Sequence, residues 1–343
     1  MLRFAKQNVM TSARAHSLMA SYHRVCKGAD SLKKLICLDS YPVKAALSVL
    51  LQDKTTKQNI IWATDTYSAL GSFFEDDSQI YEDAITGVNR DLLQPRIAKA
   101  LSEQADRTKK HAEVFTPAWI CNQMNNHCDA EWFGRENVFN WQRGTKWSVN
   151  GHRIRFPDGK TWQDYVLSTR LEITCGEAPF IVSRYDAATG EPIDVKRRIG
   201  QLDRKLRVVN ENAADEVEWM EWALKSFQSV YGYEYQGDNL LIARINLLTT
   251  FVDYLETRWG REPTKRELLK VANIIAWNFW QMDGLKGVVP LGKAVEQFPQ
   301  ISWFEPFEDF SDETRIEAEC HIFDWRSHAN ITYNSLKKGR ESK

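Results

Sequence analysis

Apolar residues recur at helical spacing in three stretches of the chain. Leu240, Leu241, Ala243, Ile245, Leu247, Leu248, Phe251 and Leu255 form one broad face and predict a helix from about Gly237 to Trp259. A second helix is predicted over roughly Thr264 to Ile275, where Thr264 and Glu267 have the spacing of a capping box. Val43 to Leu51 reads as a compact apolar helix, with Pro42 near its start, where the missing N–H does no harm. Shorter apolar runs read as strands: Arg170 to Thr174, Val230 to Glu234, the end of the stretch Trp277 to Asp283, and His321 to Asp324 as an edge strand. Asn59 to Thr64 is ambiguous between a strand and an isolated apolar run, and Asp91 to Lys110 reads as a polar helix interrupted at Pro95.

From about Leu171 onward, strands and helices alternate. That order predicts an α/β domain with a mostly parallel, doubly wound sheet, preceded by a mostly helical N-terminal region. The expected organisation is a helical region over 1–105, an α/β domain over 106–300 and a C-terminal extension over 301–343. Between Asp186 and Ser229 the spacing of the strands implies an insertion. No internal repeat or low-complexity segment is evident.

Composition adds exclusions more than assignments. With 45 basic and 46 acidic residues, net charge gives no argument for nucleic acid, so a DNA partner would meet a local basic surface or another subunit. One local cluster exists: Lys196, Arg197, Arg198, Arg204, Lys205 and Arg207, opposed only by Asp203. Phosphates attract such clusters, and a solvated helix or loop looks the same; the two readings stand equal. The six cysteines form no Cys-x-x-Cys pair, as expected of reduced thiols in a cytoplasmic protein. Cys121, His127 and Cys128 match no familiar zinc spacing and read as structural. No apolar stretch is long enough to span a membrane, and Met1 to Met10 is followed by no apolar core of the secretory kind.

Candidate chemistry gathers where strands end. Glu172 closes a strand and is followed by a turn containing Gly176, which puts a carboxylate and bare backbone at the carboxyl edge of a sheet, where open α/β sheets bind ligands. Glu234 ends the next strand and can accept both hydroxyls of a ribose, or stand solvated. Asp283, before Gly284, is either an acid at the mouth of a third strand or part of a turn. Upstream, Thr116 and Pro117 suit a helix start as cap and first turn.

These segments, in this order, resemble the cofactor side of the gamma-type adenine-N6 DNA methyltransferases. Glu172, Cys175-Gly176 and Phe180-Ile181 are similar to motif I, with Ile173 in place of its proline and Ala178 in place of its second glycine. Phe115-Thr116-Pro117 resembles motif X, Glu234 fits motif II, and Asp283 resembles motif III. The resemblance covers about Arg107 to Pro290. It implies a Rossmann-like methyltransferase sheet that binds S-adenosyl-L-methionine. Glu172, Gly176 and Phe180 would line its pocket, Phe115, Thr116 and Pro117 would close over it, Glu234 would take the ribose and Asp283 the adenine.

The family's target chemistry lies in an Asn/Asp-Pro-Pro-Tyr/Phe loop after the fourth strand, and the enzyme works on a base flipped from the duplex. None of the ten prolines here is followed by another. Phe304-Glu-Pro306-Phe307 is the nearest imitation, with a single proline in an acidic loop. The expectation is therefore an incomplete sheet and a split enzyme: the cofactor-binding subunit of a restriction-modification or related defence system. Its partners would be double-stranded DNA and a second subunit carrying the Pro-Pro loop. Two rivals stand beside it: a non-catalytic methyltransferase-fold binding or regulatory protein, and a methyltransferase acting alone on another substrate.

Overall fold

The computed structural model describes residues 35–99, 104, 107–109, 116–294 and 315–336. Phe115 and the Phe304 to Phe307 segment lie outside the described residues. The fold is mixed α/β, and one three-stranded parallel sheet organises it.

Helix α1, Val43–Leu50, and the short α2, Glu82–Ile85, belong to the N-terminal region. Between them and on to Lys99 the chain runs mainly in turns and 3₁₀ segments, so the first part of the polar helix expected over Asp91 to Lys110 is a turn and the 3₁₀ segment Arg96–Ala98, while Gln104 and Arg107 to Lys109 are helical. Pro95 accounts for this, since it removes a backbone donor and disfavours helix in the residue before it. Helix α3, Ala118–Phe133, leads to a hairpin of β1, Asn140–Arg143, and β2, Lys146–Val149. Then come α4, Trp162–Leu167, and β3, Arg170–Glu172. The expected insertion is a pair of helices, α5, Gln201–Asn212, and α6, Glu216–Gln228. Strand β4, Val230–Glu234, is followed by α7, Gly237–Trp259, α8, Lys265–Asn278, and β5, Phe279–Gln281. Two short pairs finish the described chain: β6, Lys293–Ala294, with β7, Arg315–Ile316, and β8, His321–Asp324, with β9, Ala329–Thr332.

The parallel sheet has the order β3-β4-β5, with Glu172 opposite Gly232 and Glu234 opposite Gln281. Side chains alternate across it. Val230 and Phe279 enter the large core formed with α1, α5, α6, α7 and α8, while Tyr233 and Trp280 join a smaller cluster with Cys320 and Ile322 of the C-terminal segment. Residues of the N-terminal region, Leu38, Leu47, Ile60 and Trp62 among them, share that large core.

Helix α7 runs through the centre. Every residue from Gly237 to Leu248 is buried, so its polar members need internal partners. Arg244 finds four carbonyls. It donates to Leu50, to Gln52 at 3.0 Å, to Phe279 at 2.8 Å and to Ala276 at 3.3 Å. One guanidinium thereby caps the C-terminal ends of α1 and α8, where free carbonyls and the helix dipole both favour a cation. Burial still pulls its pKa down to about 10. Helix α8 opens on the expected capping box, with Thr264 accepting from the Glu267 N–H and Glu267 accepting from that of Thr264.

Among the described residues no helix is long and apolar enough to cross a membrane.

Candidate functional site at the carboxyl edge of the parallel sheet

Strands β3 and β4 each end in a buried glutamate, and the two carboxylates face the same turn. Glu234 accepts the Gly176 N–H at 2.8 Å with one oxygen and the Gln236 N–H at 3.2 Å with the other. Glu172 accepts from Phe180 at 3.4 Å and Ile181 at 3.2 Å. Four backbone donors thus converge on two acids. Burial pushes the Glu172 carboxyl up to about 8; the two N–H groups oppose the shift and the Glu234 charge adds to it. Burial raises the Glu234 carboxyl as well, against the pull of Gly176, Gln236 and Tyr235 and with a push from Asp238.

The turn itself is strained. Thr174, Gly176 and Ala178 all take positive φ, at 45°, 53° and 62°. Only the glycine adopts that region without cost. Ala178 is the position at which the methyltransferase pattern has a second glycine, and here it has the backbone conformation that a glycine suits. Thr174 is exposed and β-branched, which makes it the costliest of the three. Beside it Ile173 is 62% exposed at the surface.

Helix α3 closes on this turn. Asn125 donates to the Phe180 carbonyl at 2.9 Å and to that of Ile199 at 3.0 Å. The helix begins at Ala118 with Pro117 as its cap residue, and no side chain of the cap binds it. Asp186 does that work instead, accepting the Ala118 N–H at 3.3 Å. Thr116 keeps a local role through its carbonyl, which faces the buried Cys121 thiol.

So Glu172, Gly176, Phe180 and Glu234 come together, and the Thr116-Pro117 helix packs against them. Asp283 does not join the group. Its carboxylate accepts the N–H groups of Leu285 and Lys286, at 2.9 and 3.2 Å, which makes it the anchor of a turn. The residue opposite Glu234 at the end of β5 is Gln281. Gln281 holds the segment around Ile61, accepting its N–H and donating to its carbonyl, both at 2.9 Å. The ambiguous Asn59 to Thr64 run therefore forms isolated bridges and lies across the ends of β4 and β5. Gly237 makes this possible, because a Cβ there would stand 1.9 Å from the Ile61 carbonyl oxygen. Its own N–H donates to Trp62 at 2.9 Å.

A further cluster, which the sequence does not reveal, lies one step along. Asp238, fully buried at the start of α7, meets Arg107 at 2.9 Å, the Tyr67 hydroxyl at 2.9 Å and Lys99 at 3.2 Å. Burial opposes its charge, but Lys99 and Arg107 hold its pKa well below the usual carboxylate range. The proximity of Asp238 to Glu234 was legible; its partners, far upstream, were not.

The basic run is largely structural. Arg204 pairs with Asp129, Arg198 with Asp253 at 2.6 Å and Arg207 with Glu211 at 2.8 Å. Lys205 is buried with its ammonium on the Val166 and Ser168 carbonyls and the Ser229 hydroxyl. Lys196 and Arg197 are exposed. His127, also exposed, pairs with Glu131 at 3.3 Å, and among the described residues no group of three or more metal-binding side chains converges.

No protein-family model, curated protein or solved structure matches this chain.

Proposed function

We propose that this chain is the S-adenosyl-L-methionine-binding subunit of a split DNA adenine-N6 methyltransferase, acting in the cytoplasm with a second subunit that carries the Pro-Pro loop. The observation that carries the reading is the convergence of Glu172 and Glu234 on the Gly176 turn at the carboxyl edge of a parallel sheet. Nucleotide-binding α/β halves have the same consecutive strand order, an acid after the second strand and a glycine turn after the first. On this reading the three strands are the first half of a Rossmann-like sheet.

The residues fit an adenosyl group in one direction. The Glu234 oxygens take the Gly176 and Gln236 N–H groups, with Tyr235 close by, and a remaining lone pair would accept a ribose hydroxyl. Ile61 and Trp62 cover the ends of β4 and β5, so the cofactor would lie on the β3 side, along Ile173, Gly176 and Phe180. S-adenosyl-L-methionine would supply the methyl group. The work of this chain is then positioning, which is worth much of the barrier in a transfer of this kind. Gln281, held by Ile61, replaces Asp283 as the nearest third-strand side chain.

The partner has a place to go. In a doubly wound sheet the first strand has a neighbour on each side. Among the described residues β3 pairs only with β4, and its Leu171 is 48% exposed. A groove of about 450 Å³ lies between one face of the sheet and β8–β9, lined by Leu171, Tyr231, Trp280, Phe323 and Trp325. A strand of the partner added to β3 would satisfy that edge.

The non-catalytic reading draws on a specific observation too: both acids already hold backbone donors, and the chain's own Ile61 segment occupies part of the crevice. Tritium transfer from labelled cofactor to mixed-sequence DNA separates the two. The split enzyme is silent as this chain alone and active once a polypeptide with an Asn/Asp-Pro-Pro-Tyr/Phe loop from the same gene cluster is added. Methylation by this chain alone would contradict the split, and silence of the assembled pair despite cofactor binding would favour the non-catalytic protein.

A further inference from the structure

A second cleft, of about 330 Å³, opens between the β1–β2 hairpin, the 3₁₀ segment Val195–Arg197, α5 and the C-terminal half of α7. Its volume lies in the range of small-molecule sites. Glu234 sits at the other end of α7, so this cleft is no part of the site above.

Two buried polar atoms in its wall have no partner. Arg198 donates through one terminal nitrogen to Asp253, but its Nη1 is buried and unbonded. Asp203 gathers the Ser183 N–H, the Ser183 hydroxyl and the Gly200 N–H on Oδ2, at 2.8, 3.0 and 3.2 Å, and leaves Oδ1 buried and unbonded. Buried polar groups are rarely left unpaired. A donor and an acceptor left unbonded in the wall of one cleft suit a ligand that presents an acceptor and a donor side by side.

The rest of the wall narrows the chemistry. Trp147 supplies aromatic surface, and Phe139 lies buried in the wall. Arg204 and Arg207 flank the Phe139 ring at 5.3 and 5.7 Å, and Arg197 lies 5.7 Å from the Trp147 ring. At the mouth, Lys196, Arg197 and Arg258 are exposed. The cleft is therefore cationic at its rim, aromatic along its walls and equipped with one donor and one acceptor inside. A planar base has adjacent acceptor and donor atoms on its edge and a face that stacks on aromatic rings; its phosphate brings the negative charge.

We propose that this cleft binds a nucleotide, with the base edge on Arg198 and Asp203 and the phosphate among Lys196, Arg197 and Arg258. The nucleotide is either free or one unit of a nucleic-acid strand. This proposal does not rest on the methyltransferase reading.

The test is calorimetry on the full chain with AMP, GMP, CMP, dTMP and inorganic phosphate, beside fluorescence anisotropy with short labelled single- and double-stranded DNA. At least one nucleotide or oligonucleotide should bind about tenfold or more tightly than phosphate, as two added charge-assisted contacts imply. Saturation by a mononucleotide assigns the free ligand; binding of oligonucleotides only assigns the strand. The double variant Lys196→Ala/Arg197→Ala changes two exposed side chains, so its thermal melt should match the parent while its affinity falls about tenfold and its salt dependence flattens. Trp147→Leu gives an independent reading of stacking. Nucleotides that bind no better than phosphate would overturn the proposal. So would unchanged affinity in the double variant, or displacement by S-adenosylhomocysteine, which would move the binding to the Glu234 site.

Discussion

The Gly176 N–H donates to the Glu234 carboxylate across 2.8 Å, so the turn after β3 is latched to the end of β4. The contact spans 58 positions of sequence. Replacing Glu234 with Ala should leave the Gly176 and Gln236 donors unmatched and destabilise the fold by about 1–3 kcal/mol. Urea unfolding reads this directly, and Glu234→Gln should recover part of the loss, since its amide oxygen can still accept one of the two.

Glu172 gives a pH dependence with a definite sign. Its folded pKa is raised to about 8 from 4.5, first by burial. The folded state therefore holds a proton that the unfolded chain releases above the ordinary carboxylate range. Stability from this group is intact below about pH 4.5 and declines as the pH rises toward 8, by up to about 1.4 kcal/mol per unit. Melting temperature measured from pH 5 to 9 should fall more steeply for the wild type than for Glu172→Gln. Parallel curves would show that Glu172 does not carry the proton.

The Asp238 cluster should be among the most sensitive points of the N-terminal region. Asp238→Ala removes the buried carboxylate that Lys99 and Arg107 both face, and breaking a buried pair on one side typically costs about 3–5 kcal/mol. The wild-type contribution has the opposite pH sign to that of Glu172: with a depressed carboxyl it is present above the usual carboxylate pKa and is lost only in strong acid. Chemical denaturation at neutral pH tests the magnitude.

Thr174 offers a gain. It is exposed at φ 45°, so Thr174→Gly should stabilise by roughly 1 kcal/mol, and Gly176→Ala, at φ 53°, should destabilise by a similar amount. A thermal shift of the wrong sign in either variant would contradict the strained-turn account.

Local signals in the sequence were enough for much of the fold. The apolar face of α7 and the Thr264–Glu267 box of α8 are written within one or two helical turns, and both helices begin where those residues place them. Strands β4 and β8 likewise carry their own pattern. The missing parts depend on distant partners. The basic run looked accessible because Asp129 and Asp253 lie 75 and 55 positions away from the arginines they neutralise. The Asn59 to Thr64 run could not be resolved because its partner Gln281 is 220 positions downstream. At the site, an acid at each strand end was legible for Glu172 and Glu234, whereas Asp283 follows β5 by two residues and a local Asx turn takes its carboxylate.

The most direct test of the central claim is calorimetry of the purified chain with S-adenosylhomocysteine, paired with hydrogen exchange across residues 172–181. The account predicts saturable one-to-one binding, slower exchange of the Gly176, Phe180 and Ile181 amides on binding, and affinity reduced about tenfold or more in Glu234→Ala. No binding heat and unchanged exchange in that turn, in a chain shown to be folded, would contradict it.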